Sequence, residues 1–170
     1  MGAPHPPSVA HVGVSVPDVA AAVAFYTEAL DMEILVPPTD VPPATGHVGS
    51  FLEAFFPGFR GMRAARVITR EGVAMELFEW DTGDDPDWPT PPVHHERPGY
   101  FHVAFVDPDV EGRVQRIVAA GGRRRTDTWQ VWPDLPFQAC YCEDPFGNIV
   151  EVISHSEAEM HGRPRYRSRS

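Results

Sequence analysis

Four side chains carry the chemistry this chain is equipped for. His11 opens the segment His11-Val-Gly-Val-Ser-Val-Pro-Asp-Val, and His102 opens a second, His102-Val-Ala-Phe-Val-Asp-Pro-Asp-Val. Each continues into a helix-like stretch and then strands. Each run ends on a strand with an acid among apolar residues, Met75-Glu76-Leu77-Phe78 and Val150-Glu151-Val152-Ile153. Imidazole and carboxylate suit first-row divalent metals such as Zn, Ni, Fe, Mn and Co. A carboxylate on an apolar strand face is costly to bury unless it is paired or metal-bound. Taken singly, a strand histidine is more often a hydrogen-bonded structural residue. The repeat changes the balance, because a duplicated module can bring His11, Glu76, His102 and Glu151 to one divalent ion.

The elements that must position these residues read β-α-β-β-β, twice. Val9 to Val16 alternates and is β-branched, as a strand should be. Asp18 caps a helix running to about Leu30, with Val19, Val23, Phe25, Tyr26 and Leu30 on its apolar face. Met32 to Val36 is a short strand, and Pro37 to Pro43 a break. His47 to Phe59 carries Phe51, Leu52, Phe55, Phe56 and Phe59 at helical spacing. Gly61 to Arg70 and Gly72 to Trp80 are paired strands. In the second copy Tyr100 to Val106 is a strand and Asp109 to Ala120 a helix ended by Gly121-Gly122. Arg123 to Thr126, Pro136 to Glu143 and Ile149 to Ser154 are strands, the last two around the turn Asp144-Pro-Phe-Gly147-Asn148. The expected fold class is therefore α+β, with two tandem βαβββ modules. The first module spans 8–80 with an insertion at 38–60, the linker 81–98, the second module 99–155, and a disordered basic tail 156–170.

Composition narrows the partners. The 170 residues have a net charge of −10 and contain arginine but no lysine, which excludes lysine Schiff-base chemistry. Arg163, Arg165, Arg167 and Arg169 lie in the tail, so the body is more acidic still and repels nucleic acid. No apolar run reaches the ~18 residues of a membrane span. The first residues lack the charged and apolar regions of a secretory signal. Cys140 and Cys142, one residue apart on a predicted strand, are not expected to form a disulfide. The expectation is a cytoplasmic, reduced protein.

The motifs resemble those of the vicinal-oxygen-chelate superfamily, which includes glyoxalase I, methylmalonyl-CoA epimerase, extradiol dioxygenases, fosfomycin-resistance transferases and bleomycin-binding proteins. The residues that carry the resemblance are His11-Val-Gly-Val-Ser-Val-Pro-Asp, Phe25-Tyr26-Thr-Glu-Ala-Leu30, Glu76-Leu-Phe-Glu, His102-Val-Ala-Phe and Asp144-Pro-Phe-Gly-Asn-Ile-Val-Glu151. The family's ligand positions fall on His11, Glu76, His102 and Glu151. The resemblance implies that the two βαβββ modules form a cupped mixed sheet around a metal, a small-molecule substrate that chelates the ion through two adjacent oxygens, and a homodimer. Retention of Glu76 resembles the glyoxalase and epimerase branch, in which a carboxylate moves a proton beside a carbonyl. That role falls to Glu151, with Glu76 as ligand or second base. The arginine that follows the first histidine in glyoxalase I is missing from Val12-Gly-Val-Ser-Val, which argues against glutathione.

Two alternatives stand beside this. Tyr141-Cys-Glu-Asp-Pro-Phe-Gly-Asn-Ile-Val-Glu151 fits the end of the extradiol signature, but Trp129 to Gln138 lacks its histidine. A non-catalytic antibiotic-binding protein would usually lack the four ligands. A fosfomycin transferase would want positive residues and a three-ligand site. The candidate substrate pocket comprises Phe51, Phe55, Phe78, Trp129, Trp132 and Tyr141, although Phe51 and Phe55 could as well make a packed helix or a dimer contact, and Trp129 and Trp132 ordinary loop packing. Arg123-Arg124-Arg125 reads as a charged edge strand. His94 and His95 read as solvated, and His155 as a spare ligand.

Overall fold

The computed structural model describes residues 7–83, 96 and 98–162. The first repeat forms β1 (His11–Ser15), α1 (Val19–Leu30), β2 (Glu33–Val41), α2 (Gly46–Phe55), β3 (Met62–Ile68) and β4 (Ala74–Trp80). The second forms β5 (His102–Val106), α3 (Val110–Ala119), β6 (Arg123–Arg124), β7 (Trp129–Gln130), β8 (Gln138–Glu143) and β9 (Ile149–Ile153), followed by α4 (Glu157–His161). The chain is α+β, with one mixed sheet per repeat, ordered β1-β4-β3-β2 and β5-β9-β8-β6, with β7 also on β8. It divides into two compact units, the first carrying β1–β4 and the second β5–β9.

Each sheet buries one face. In the first, Ala65, Val67, Met75 and Leu77 are buried, while their strand neighbours Ala64, Arg66, Glu76 and Phe78 are not. α1 starts on the buried side. Asp18 caps it by accepting from the Ala21 N–H at 3.0 Å, and Glu79 accepts from the Val19 N–H at 2.9 Å. A carboxylate there also suits the positive end of the helix. In the second sheet Cys140, Cys142, Val150 and Val152 are buried, and α3, with Val110, Val114 and Ile117 inward, lies against β6, β8 and β9.

Four elements depart from the expected ones. β2 continues through Pro37 and Pro38 to Val41 instead of stopping at Val36. It is an edge strand, where a missing N–H costs no ladder bond on the free side, and two register shifts absorb the irregularity. The short strand after Gly122 covers only 123–124, and 129–130 adds β7. Residues 157–161 are helical, where a disordered tail was expected to begin at 156. Ser156 and Glu159 form a capping box, and Met160 is buried against Phe137 and Ile153, with Val131, Trp132, Leu135 and Ala139 around them. The rest of the tail, most of the linker and His94 and His95 lie outside the described residues.

Candidate metal centre

In each unit the first strand runs parallel to the last, so register decides where the histidine meets the carboxylate. Gly13 pairs with Glu76, and Ala104 with Glu151. The histidine precedes the paired residue by two positions in both units, and residues two apart share a sheet face. His11 Nε2 accordingly lies 3.2 Å from Glu76 Oε2, and His102 Nε2 lies 3.1 Å from Glu151 Oε2. These are two His–Glu pairs of one design, on the less buried face of each sheet.

The antiparallel neighbour braces each carboxylate. Arg66 stands opposite Glu76 and Tyr141 opposite Glu151. Arg66 Nε donates to Glu76 Oε1 at 2.6 Å, and an Nη of the same guanidinium bonds the same oxygen. Tyr141 faces Glu151 across the ladder, and the two groups shift each other's proton affinity. One carboxylate thus has a cationic brace and the other a neutral one. Burial pushes the Glu151 carboxyl above the ordinary carboxylate range, while His102 and Tyr141 pull it partly back. Burial also raises the Tyr141 hydroxyl, with the Glu151 charge acting in the same direction.

Within each pair the donor spacing suits two ligands of one divalent ion. Two ligand atoms on one ion, each about 2.0–2.2 Å from it, stand roughly 3.0–3.4 Å apart. Both His–Glu pairs have about that spacing, and in the first the other carboxylate oxygen, Glu76 Oε1, goes to Arg66. His102 Nδ1 is buried without a hydrogen-bond partner among the described residues, so its ring lacks the acceptor that usually orients a metal-bound imidazole. Aromatic packing holds it instead: Phe101 and Tyr141 meet the ring edge-on at centroid distances of 4.4 and 5.4 Å. Among the described residues no three His, Cys, Asp or Glu side chains gather at one point. The four expected ligands stand as two pairs, one in each unit.

The predicted pocket residues fall in different places. Phe78 shares the Glu76 face and stacks on Trp80 at 5.3 Å, and Phe56 meets Trp80 at 4.8 Å. The Trp80 indole N–H donates to Ser15 Oγ at 2.8 Å. Gly13 leaves room for this row, since a Cβ there would touch the Phe78 ring at 3.4 Å. Phe51 and Phe55 pack on each other at 4.8 Å and are exposed, and Trp129 is exposed too. Trp132 packs into the Phe137–Ile153–Met160 cluster, and Tyr141 braces Glu151. His155 is engaged by Ser154 Oγ at 2.8 Å and by the Phe137 ring. Arg123 and Arg125 both bind the buried Glu143, and Arg124 binds Glu111, so this arginine run is an ion-paired strand. The alternation of β4 already placed Trp80 on the Glu76 face, whereas sequence reasoning missed Arg66, which stands opposite Glu76 on that face.

The family described as Glyoxalase/Bleomycin resistance protein/Dioxygenase superfamily matches residues 8–152. No curated protein matches the chain. Among solved structures, a glyoxalase family protein from Bacillus cereus is similar with a TM-score of 0.70 and 20% identity, over 91% of this chain and 97% of that one. Glyoxalase I from Zea mays is similar with a TM-score of 0.60 and 20% identity, over 88% of this chain but only 45% of that one. The fosfomycin resistance protein FosX from Listeria monocytogenes is similar with a TM-score of 0.54 and 13% identity, over 89% and 94%. At these identities the likeness is one of fold.

Proposed function

The chain belongs to the glyoxalase/bleomycin resistance protein/dioxygenase superfamily, and we propose that within it this protein is a divalent-metal-dependent lyase or isomerase of the glyoxalase I or epimerase type. Its metal ligands would be His11, Glu76, His102 and Glu151, and the protein would act as a homodimer. The substrate is a small molecule presenting two adjacent oxygens. A divalent ion in this site supplies Lewis acidity that stabilises the oxyanion formed when a proton leaves the carbon beside a carbonyl.

Glu151 takes that proton and returns it. The observation that carries this assignment is the difference between the two braces. Two guanidinium donors clamp Glu76 Oε1, which suits a fixed anionic ligand. Glu151 is braced only by a neutral hydroxyl, and burial already raises its affinity for a proton. Tyr141 orients the carboxylate, and Phe78 and Trp80 offer an apolar bed to the rest of the substrate. Both cysteines are free and buried, in keeping with the reduced, cytoplasmic setting we propose.

A second reading, an Fe(II)-dependent ring-cleaving dioxygenase, draws on Tyr141, which lies beside His102 and Glu151 as a substrate-contacting tyrosine would. The two are separated by metal analysis of protein purified without added metal, followed by parallel assays. Solvent-proton exchange beside a carbonyl without oxygen uptake supports the lyase or isomerase. Oxygen consumption with Fe(II) and catechols, with no exchange, replaces it with the dioxygenase.

A further inference from the structure

We propose that the open cleft at the end of the first sheet is a second small-molecule site, which takes a zwitterion of the α-amino-acid class with an apolar side chain. It lies wholly within the first unit and needs no metal. Antiparallel register builds its apolar wall. Val41 stands opposite Met62, and Met62 opposite Trp80, so the three side chains lie abreast on one face of β2, β3 and β4. Pro42 and Pro43 extend that wall beyond β2, and the cleft encloses about 370 Å³. That is toward the small end of ligand pockets, which span roughly 300–1,000 Å³. Trp80 lies four residues along β4 from Glu76, about 13 Å at strand spacing, so the cleft is separate from the His11–Glu76 pair.

The charges around the cleft sort into those already matched and those left over. In the adjacent row Arg63 stands between Asp40 and Glu79. It pairs with both, at 3.1 and 3.6 Å, and Glu79 also accepts from the Val19 N–H. Two charges remain, where β3 begins and β4 stops. Asp81 follows Trp80, and its backbone N–H donates to the Gly61 carbonyl at 2.9 Å. Its Oδ1 accepts from the Gly83 N–H at 3.1 Å, and its Oδ2 has no partner among the described residues. Arg60 precedes Gly61, and its guanidinium lies over Gly83, where a Cβ would come within 2.9 Å of Nη1. Arg60 makes no ion pair among the described residues. A simple anion here would meet the carboxylates of Asp40, Glu79 and Asp81, and a simple cation the guanidinium groups of Arg60 and Arg63. A ligand carrying both charges complements what is left: its carboxylate meets the Arg60 fork, its ammonium meets Asp81, and its side chain lies against Trp80, Met62 and the prolines.

The test uses the full-length protein in EDTA, so that no metal contributes. Three ligands are titrated by calorimetry into wild type, Arg60→Met and Asp81→Asn: phenylalanine, phenylalaninamide, which lacks the carboxylate, and N-acetylphenylalanine, which lacks the ammonium. Far-UV circular dichroism verifies the fold; both replaced side chains are exposed, and Asn keeps the acceptor for the Gly83 N–H. Wild type should bind phenylalanine more tightly than either derivative by roughly 3-fold to 30-fold, the worth of one charge-assisted contact discounted for solvent exposure. Arg60→Met should lose the preference over the amide and keep that over the N-acetyl compound, and Asp81→Asn should do the reverse. No binding of phenylalanine by wild type at millimolar concentration overturns the proposal, as does discrimination against fewer than both derivatives. Preferences that do not separate between the two variants overturn it too. Loss of phenylalanine binding in His11→Ala would move the ligand to the Glu76 site and end the proposal, whereas failure of the metal-site reading leaves it standing.

Discussion

Replacing Glu151 by Gln separates the three roles that the side chain combines. The substitution keeps size and shape, and the amide still offers an oxygen toward Tyr141, so packing is preserved. In the metal-free protein burial raises the Glu151 carboxyl above its unfolded value. The sign follows from linkage. A raised carboxyl contributes stability that is present below the unfolded value, about pH 4, and lost as pH rises through the higher folded value. Gln does not ionise and escapes that loss. Metal-free Glu151→Gln should therefore match or exceed wild type in denaturant midpoint at neutral pH, with the advantage closing toward about pH 4. Only 14% of the Glu151 side chain is exposed, but His102 and Tyr141 stabilise the ionised form, which should hold the gain below about 1 kcal/mol. With metal the order reverses, because an anionic ligand is lost and affinity falls. Once metal saturates, turnover should still be down by roughly 10²–10⁴-fold, the usual cost of losing a general base. That corresponds to about 2.7–5.5 kcal/mol of barrier. Turnover measured against metal concentration decides the matter. Near-wild-type turnover in excess metal would refute the base assignment, and a metal-free variant less stable than wild type at neutral pH would refute the burial argument.

Met160→Ala should cost about 2–4 kcal/mol by emptying the Phe137–Ile153 cluster, read as a lower midpoint in chemical denaturation. Asp144 accepts from the Phe146 and Asn148 backbone N–H groups at 2.9 and 2.8 Å and is 3% exposed. Asp144→Ala should destabilise by about 2–4 kcal/mol and weaken metal binding in calorimetry, because this turn sets Tyr141 opposite Glu151. The Cys142 thiol is pushed up to about 12, first by burial and then by Cys140, so it stays protonated and unreactive. A thiol reagent at pH 8 should label the native protein far more slowly than the unfolded protein. Light scattering should give a dimer at micromolar concentration, and a monomer throughout that range would contradict the proposed assembly.

The repeat, the α+β class and the two copies of β-α-β-β-β were legible because period-two alternation and the Gly and Pro turns mark strand ends directly. The matching strand positions of His11 and His102, and of Glu76 and Glu151, were legible, but not that each histidine meets the carboxylate of its own unit, which follows from the parallel register. The braces were not legible either, because they depend on hairpin register. Yet the signal was present. The turn at 69–73, with Gly72 at φ 88°, folds β3 onto β4 so that Arg66 meets Glu76. The Asp144–Asn148 turn likewise sets Tyr141 against Glu151. Counting back from each turn would have found both. α4 escaped because five residues are too few for a periodic signal, and its stability comes from burying Met160, a tertiary contact. Trp132 was read as pocket lining because its core partners, Phe137, Ile153 and Met160, are brought together only by the fold.

The parallel pairing of first and last strands has a consequence for cohesion. His11 and Glu76 bracket almost the whole first unit, and His102 and Glu151 span the second up to α4. A bridge between such residues closes a long chain loop, and the longer the loop, the more disorder the bridge removes from the unfolded chain. An ion shared by such a pair would act as a reversible cross-link, tying the opening strand of a unit to its closing one in a chain whose two thiols are both free. Loss of the ion would leave the parallel ladder alone to hold the opening strand of each unit to its closing one.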